Sequence, residues 1–395
     1  MINEQYKQML GGKSVIRQLS EFATARGKEI GYENVFDYSL GNPSVPVPEK
    51  FTQVMIELLQ TKSSMELHGY SPSLGIPSVK EKIAASLNRR FGMNYTANHI
   101  FPTTGAAGAV AHAVRCVTKP GDEVLTIAPF FPEYMPYINL SGAKLKVVPA
   151  DTQNFQIHFE KLEEMLTDKV SAVLINTPNN PSGAVYNTQT LQRLGELLSR
   201  KQKEYGHDIF LISDEPYREI VFQGVDAPYV SKFYDNTLSC YSYSKSLSLP
   251  GERIGYVYVP QKATDGKALY SAVAGAARAG GHVCAPSLWQ KVIARCAHLR
   301  PDLESYDRNR KALYEGLTRM GYEMAKPDGA FYLFIKAPGG DANAFSDAAK
   351  KKDLLVVPGD GFGCPGYFRI CYCVSLEMIQ KSLPVFEELI RCGEW

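Results

Sequence analysis

Long apolar runs are missing from this chain, and no stretch of its 395 residues approaches the length needed to cross a bilayer. The N-terminus does not read as a signal peptide. A cytoplasmic setting is therefore expected, and the glycosylation sequons at Asn94 and Asn139 carry no weight. CxxC pairs are also absent. The eight cysteines (Cys116, Cys240, Cys284, Cys296, Cys364, Cys371, Cys373 and Cys392) form no zinc-like spacing, so reduced thiols and no metal site are expected. The closest pair, Cys371-Tyr372-Cys373, lies in an apolar run and reads as small buried strand residues. Neither sign of charge dominates. With 43 Lys and Arg against 41 Asp and Glu, the net charge of +2 favours neither nucleic acid nor an acidic membrane as partner. No internal repeat or low-complexity tract stands out, and the 45% apolar and 21% charged fractions are those of an ordinary globular protein.

Gly11-Gly12-Lys13-Ser14 mimics the end of a phosphate-binding loop. The position where that loop needs its first glycine is Lys7, and no strand precedes it, so the motif is rejected.

Apolar spacing predicts an opening helix over residues 14–27, with Val15, Ile16, Leu19, Phe22 and Ala23 on one stripe. A short strand at 35–40, a Gly41-Asn42-Pro43 turn and a helix from Glu49 to about Gln60 follow. An irregular stretch, Leu67 to Pro72, precedes a helix expected to start at Pro77 with a Ser78/Glu81 capping box. From about Ile100 short apolar strands alternate with helices: strands at 123–127, 144–148, 172–176, 209–213, 238–243 and 254–259, helices near 105–118, 159–167, 188–205 and 263–279. This alternation predicts an α/β fold with a mostly parallel sheet between helical layers. The last hundred or so residues change character. A helix near 301–320, strands at 331–336, 354–357 and 367–374, and a closing helix over 376–391 suggest a smaller α+β domain. The expected division is a large domain over 46–290 and a small one formed by 1–45 and 291–395.

In open parallel sheets, ligands bind beyond the C-terminal ends of the strands. Beyond the strand at 238–243 comes Ser242-Tyr243-Ser244-Lys245-Ser246-Leu247-Ser248-Leu249-Pro250-Gly251-Glu252-Arg253. A lysine alone there could be a solvated loop residue. With hydroxyls around it and Arg253 eight positions on, it supplies an amine nucleophile and a fixed cation, which suits a ligand bearing both an aldehyde and a phosphate, such as pyridoxal phosphate. Thr103-Thr104-Gly105-Ala106-Ala107 opens a helix with bare backbone N–H groups suited to phosphate, although plain turn chemistry explains it as well. Asn176 to Gly183 (NTPNNPSG) holds Asn180 between rigid residues, where its amide can donate to a phenolate. Asp214, in Ser213-Asp214-Glu215-Pro216-Tyr217, is either a helix cap or a partner for a protonated ring nitrogen, with Tyr217 near the ring's hydroxyl side. Phe131 in Pro129–Tyr134 offers an aromatic face, or merely core. Arg369 is a charge inside an apolar strand and requires an anionic partner, internal or substrate.

In order and spacing, Gly41-Asn42-Pro43, Tyr70, Gly105, NTPNNPSG, DEPY, SYSKSLSLPGERIGY and the arginine strand resemble class I/II aminotransferases, the aspartate-aminotransferase-like branch of pyridoxal-phosphate enzymes of fold type I. The resemblance implies a three-layer αβα large domain, pyridoxal 5′-phosphate as cofactor, and ping-pong transfer of an amino group between an L-amino acid and a 2-oxo acid. Aspartate, glutamate or aromatic amino acids with 2-oxoglutarate are the substrates it suggests. It implies that Lys245 joins covalently to the cofactor and moves the substrate's Cα proton, and that Asp214 keeps the ring nitrogen protonated. Asn180 and Tyr217 would contact the phenolic oxygen, and Phe131 would stack on the ring. Gly105, Ala106, Ala107, Ser242 and Arg253 would form the phosphate site, joined by Tyr70 of a neighbouring subunit in a homodimer. Arg369 would clamp the α-carboxylate beside Gly41. One position departs from the pattern: Ala107 stands where some aspartate-using bacterial members place a lysine, which leaves aromatic or broad neutral substrates open. A carbon–sulfur β-lyase on the same fold is the alternative. A non-catalytic cofactor-binding regulator is a more remote one.

Overall fold

The computed structural model describes residues 2, 4, 6, 7, 15–260, 262–393 and 395; the Gly11–Ser14 phosphate-loop mimic lies outside them. Among the described residues twelve strands follow one another: β1 Phe36–Asp37, β2 Ile100–Thr103, β3 Glu123–Ile127, β4 Lys144–Val148, β5 Val170–Asn176, β6 Phe210–Asp214, β7 Thr237–Ser242, β8 Gly255–Tyr258, β9 Tyr332–Lys336, β10 Leu354–Leu355, β11 Val357–Pro358 and β12 Tyr367–Cys371. Seven of them form the main sheet, in the order β2-β8-β7-β6-β5-β3-β4. Strand β8 alone runs against its neighbours, pairing antiparallel with both β2 and β7, while the other contacts are parallel. Runs such as Val173-Leu174-Ile175 are buried throughout, as a sheet covered on both faces requires. The expected α/β layering is present, with helices on either side of a mostly parallel sheet.

The helices form for local reasons. Asn187 caps helix Thr188–Tyr205 by accepting from the Thr190 N–H, Leu191, Leu194 and Leu198 fill its inner stripe, and Gly206 ends it in the left-handed region. Toward the C-terminus, β11, β12 and β9 build an antiparallel sheet, and β10 pairs in parallel with β1. The N-terminal segment is thus stitched to the C-terminal part of the chain. Among the described residues no helix is long and apolar enough to cross a membrane.

Several expectations shift. The strand expected at 35–40 keeps only Phe36–Asp37, because its sole partner, β10, is two residues long. The Ser78/Glu81 capping box is not made. Pro77 itself takes the first helical turn and Ile76 is the cap, which leaves Ser78 inside the helix. Leu67 and His68, expected to be irregular, belong to a short helix, Ser64–His68, capped by Ser63. Among the described residues four further helices, Tyr134–Asn139, Tyr243–Ser246, Ser287–Cys296 and Ala342–Lys350, were not anticipated.

The C-terminal ends of β2, β3, β5, β6 and β7 open toward the same edge, since all five run alike and only β8 is reversed. That edge receives Gly105, Phe131, Asn180, Asp214 and Lys245.

Gly195 tests how tightly the outer layer sits. A methyl group there would run into the backbone carbonyl of Phe233. Gly195→Ala gains about 1 kcal/mol of helix propensity, but overpacking against a backbone atom costs about 1–3 kcal/mol. A net lowering of the melting temperature, read by circular dichroism, is expected.

Candidate active site

A cavity of about 280 Å³ sits at that edge, lined from both the main sheet and the C-terminal region. Lys245 lies in the short helix Tyr243–Ser246 directly after β7, where the Ser242 side chain caps the turn by accepting from the Ser244 N–H. Its Nζ donates to the Gly41 carbonyl at 2.6 Å and stands 5.6 Å from the centre of the Phe331 ring. Burial pushes the ammonium below its usual range; the Cys373 and Cys371 thiols act the other way, and Arg369 and Arg253 add to the lowering. Burial thus works against the charged form of this lysine.

Asp214 ends β6, in register with Asn176 on β5 and Cys240 on β7. Its Oδ2 accepts from the Tyr134 hydroxyl at 2.7 Å, and the Asn176 amide holds its backbone carbonyl at 2.8 Å. Its Oδ1 is buried and has no partner. Burial drives the carboxyl up to about 7, against the pull of the Tyr134 bond, and Glu215 adds to the rise. Glu215 does not compete for the site, because it pairs with Arg218. The Arg218 guanidinium is in turn enclosed by Tyr241 and Tyr229, at 4.5 and 5.1 Å from the ring centres.

Arg369 sits in the middle of β12 and is only 2% exposed. Its Nη1 donates to Asn180 Oδ1 at 3.0 Å and its Nη2 to the Ser39 carbonyl, while its Nε has no partner. Tyr332 and Phe362 flank the guanidinium at 4.8 and 5.1 Å. Every oxygen it meets is neutral. A buried cation held this way needs an anion from outside the chain. The contact also fixes the Asn180 amide: its oxygen faces Arg369, which leaves its NH₂ group free to donate elsewhere. Tyr217 and Tyr332 join their hydroxyls at 2.9 Å beside it.

At the other end, Gly105 opens helix Gly105–Val117 with φ of +81°, and a Cβ there would meet Arg253 Nη2 at 2.8 Å. Only glycine permits that approach. Arg253 is exposed, donates to the Pro250 carbonyl at 2.9 Å, and holds a left-handed φ of 49° that is uncommon outside glycine. The Ser242 and Ser244 hydroxyls are bonded at 2.5 Å nearby.

The structure thus brings Gly41, Ala106, Ala107, Phe131, Asn180, Asp214, Tyr217, Ser242, Lys245, Arg253 and Arg369 to one cavity, with Gly105 directly behind Arg253. Tyr70 does not line it and is 91% exposed. Sequence reasoning passed over Tyr134, Tyr137, Tyr332, Ser39, Ser244 and Ile16, all of which line the cavity. Tyr134 stood in the flagged Pro129–Tyr134 segment, but its helix was not foreseen, so no periodicity told which ring turns inward.

A mostly parallel sheet with an amine, an unpaired acid and an unpaired buried arginine converging at its C-terminal edge defines an enzyme that handles a small charged substrate. The chain belongs to the family described as aminotransferase class I and II, whose sequence pattern matches residues 33–385. It is similar to an amino transferase of Eubacterium rectale of known structure, with 50% identity over the whole of both chains and a TM-score of 0.97. It is 28% identical to an aspartate aminotransferase of Thermotoga maritima, covering 95% of this chain and 99% of that one. An aromatic-amino-acid aminotransferase of Thermococcus litoralis is also 28% identical, over 96% of each. The protein is an aminotransferase, of a family that generally depends on pyridoxal phosphate.

Asp214 yields a pH-dependent test on the cofactor-free chain. Its folded pKa lies above the unfolded value, so between about pH 4 and 7 the folded state holds a proton that the unfolded state has lost. Stability from this group therefore falls as pH rises through that window, by at most about 4 kcal/mol. Asp214→Asn should stabilise the cofactor-free protein at pH 8 and make little difference at pH 4, as read by urea unfolding at the two pH values.

Proposed function

We propose that this cavity binds pyridoxal 5′-phosphate on Lys245 and transfers an amino group between an L-amino acid and a 2-oxo acid by a ping-pong mechanism. The reading is carried by one observation: Lys245, Asp214 and Arg369 converge on a single cavity, and among the described residues none of them has an oppositely charged partner. The residues fit the cofactor. The unpartnered Oδ1 of Asp214 suits a ring N–H, and the Cβ-free approach of Gly105 to Arg253 leaves a cradle for a phosphate.

When bound, the cofactor supplies an aldehyde that takes up the amino group and a protonated ring that accepts electrons from the substrate carbon. The chain's residues do the rest. Asp214 would pair its carboxylate with the ring nitrogen and so favour that nitrogen's protonated form. Asn180, through its free NH₂ group, and Tyr217 would hydrogen-bond the phenolic oxygen, and Phe131 would offer the ring an aromatic face. Gly105, Ala106, Ala107, Ser242 and Arg253 hold the phosphate. Arg369 exchanges neutral oxygens for the α-carboxylate and so fixes which Cα bond is exposed to base. Lys245 Nζ, whose ammonium burial disfavours, would take the proton from the substrate Cα and later return it.

Tyr70, almost wholly exposed and away from its own cavity, suits a role in the site of a second copy, so the enzyme acts as a homodimer. The chain divides into a large domain over 46–290 and a small one from 1–45 and 291–395, and it works in the cytoplasm.

Borohydride treatment of the purified holoenzyme should fix the cofactor to the peptide that carries Lys245, as read by mass spectrometry; label on another lysine would refute the assignment. Lys245→Ala should lower turnover by about 10²–10⁴-fold or more, with cofactor still bound through the phosphate site and Asp214. Arg369→Ala should lower kcat/KM for amino and oxo acids by about 10–150-fold and spare cofactor retention, measured by equilibrium dialysis.

A further inference from the structure

We propose that the Cys371 thiol is a positioning group for proton transfer at the substrate carbon: by holding the Leu40 carbonyl it turns the next carbonyl, that of Gly41, onto the Lys245 amine. The inference rests on the reading of Lys245 as the carrier of the Cα proton, and deepens it.

Beyond β1 the chain reaches the cavity with the carbonyls of four consecutive residues, Tyr38 to Gly41, all engaged. The Tyr38 carbonyl accepts from the Cys371 N–H at 3.1 Å and the Ser39 carbonyl from Arg369 Nη2. The Leu40 carbonyl accepts from the Cys371 thiol at 2.7 Å, and the Gly41 carbonyl from Lys245 Nζ at 2.6 Å. The first three donors belong to β12. Arg369 and Cys371 lie on one side of that strand because they are two residues apart, and Cys373 follows at the same spacing, its thiol 3.8 Å from the Leu40 oxygen. Cys371 thus grips the segment twice, by backbone and by side chain.

A thiol can hold a carbonyl only while it keeps its proton. Cys371 keeps it: the adjoining Cys373 thiol and burial push it well above its ordinary range. The side chain is therefore a neutral donor and sets no thiolate beside the amine.

Two of the four carbonyl contacts are given up in the proposed reaction. Arg369 turns to the α-carboxylate, and Lys245 works at the substrate carbon. The grip of Cys371 is touched by neither event. It keeps the Gly41 carbonyl in place as the acceptor to which the amine returns. An acceptor fixed on one side of the nitrogen also sets where its lone pair points, and proton transfer is sensitive to such aim.

Two measurements on the full chain test this. In the holoenzyme, supplied with whichever of L-aspartate, L-glutamate and L-phenylalanine it turns over fastest, Cys371→Ala should lower kcat about tenfold. KM should stay within about twofold, and the effect of deuterium at Cα should be at least as large as in the parent enzyme. In the cofactor-free protein, trace acetic anhydride followed by mass spectrometry of the Lys245 peptide reads the amine directly, without turnover. An amine released from its carbonyl is less readily protonated and more open to reagent, so Cys371→Ala should raise labelling by about threefold or more. Cys371→Ser, whose hydroxyl donates in place of the thiol, should restore both values, which a packing role alone would not require. If the alanine variant does not fold, Cys371→Val and Cys371→Thr, alike in shape and different in one hydroxyl, make the same comparison. Equal labelling with and without the donor, or an unchanged kcat, overturns the inference; where borohydride still fixes the cofactor on Lys245, the transaminase reading then stands. Cofactor fixed on another lysine overturns both.

Discussion

The site depends on one constraint: charged groups are buried near one another and denied partners of their own. Arg369 is the clearest case, a guanidinium in the middle of an apolar strand that meets only an amide oxygen, a backbone carbonyl and two aromatic rings. Were an acid of the chain within reach, the pair would be satisfied and the arginine would have little left to offer a substrate. The same holds for Asp214, with one oxygen spoken for by Tyr134 and the other free. Lys245 leans on the Gly41 carbonyl, not on a carboxylate. The folded chain holds this arrangement because its other contacts over-determine it.

How the three are kept from pairing internally follows from the fold. Asp214 is set by strand register between Asn176 and Cys240, Lys245 by a capped turn one strand further along, and Arg369 by an antiparallel sheet outside the main one. The neighbouring acid, Glu215, is neutralised by Arg218 inside a cage of tyrosines, so its charge does not swamp the site. The Leu40–Gly41 segment links the parts: the Cys371 thiol donates to the Leu40 carbonyl at 2.7 Å, and Gly41 receives Lys245. No side chain larger than hydrogen fits at Gly41, because the Tyr332 hydroxyl occupies the space.

Much of this was legible in the sequence, for a physical reason. Residues such as Lys245, Asp214 and Arg369 are costly where short apolar strands end or run, so their presence there is informative without coordinates. The alternation of apolar runs and helical stripes likewise exposed the layered architecture. What escaped notice was information that only packing holds. The aromatic segment at 129–134 did not disclose that Tyr134, more than Phe131, would bond Asp214. Ile16 read as one more core residue of an amphipathic stripe, and Tyr332 as an ordinary strand position. The expected strand at 354–357 breaks at Val356 into two pieces that serve different sheets. The Ser78 box failed because a proline one residue earlier had already begun the helix.

The reversal of β8 has a geometric effect of its own. Ser242 on β7 faces Gly255 on β8, so the chain between them is the crown of a hairpin whose foot is held by ladder bonds. Lys245 and Arg253 both lie on that crown. Their separation is therefore gauged locally, like marks on a short ruler, by the hairpin's own ladder and not by the outer helices or the C-terminal sheet. Lengthening or shortening residues 246–252 by even one would recalibrate the ruler while the rest of the fold stayed intact.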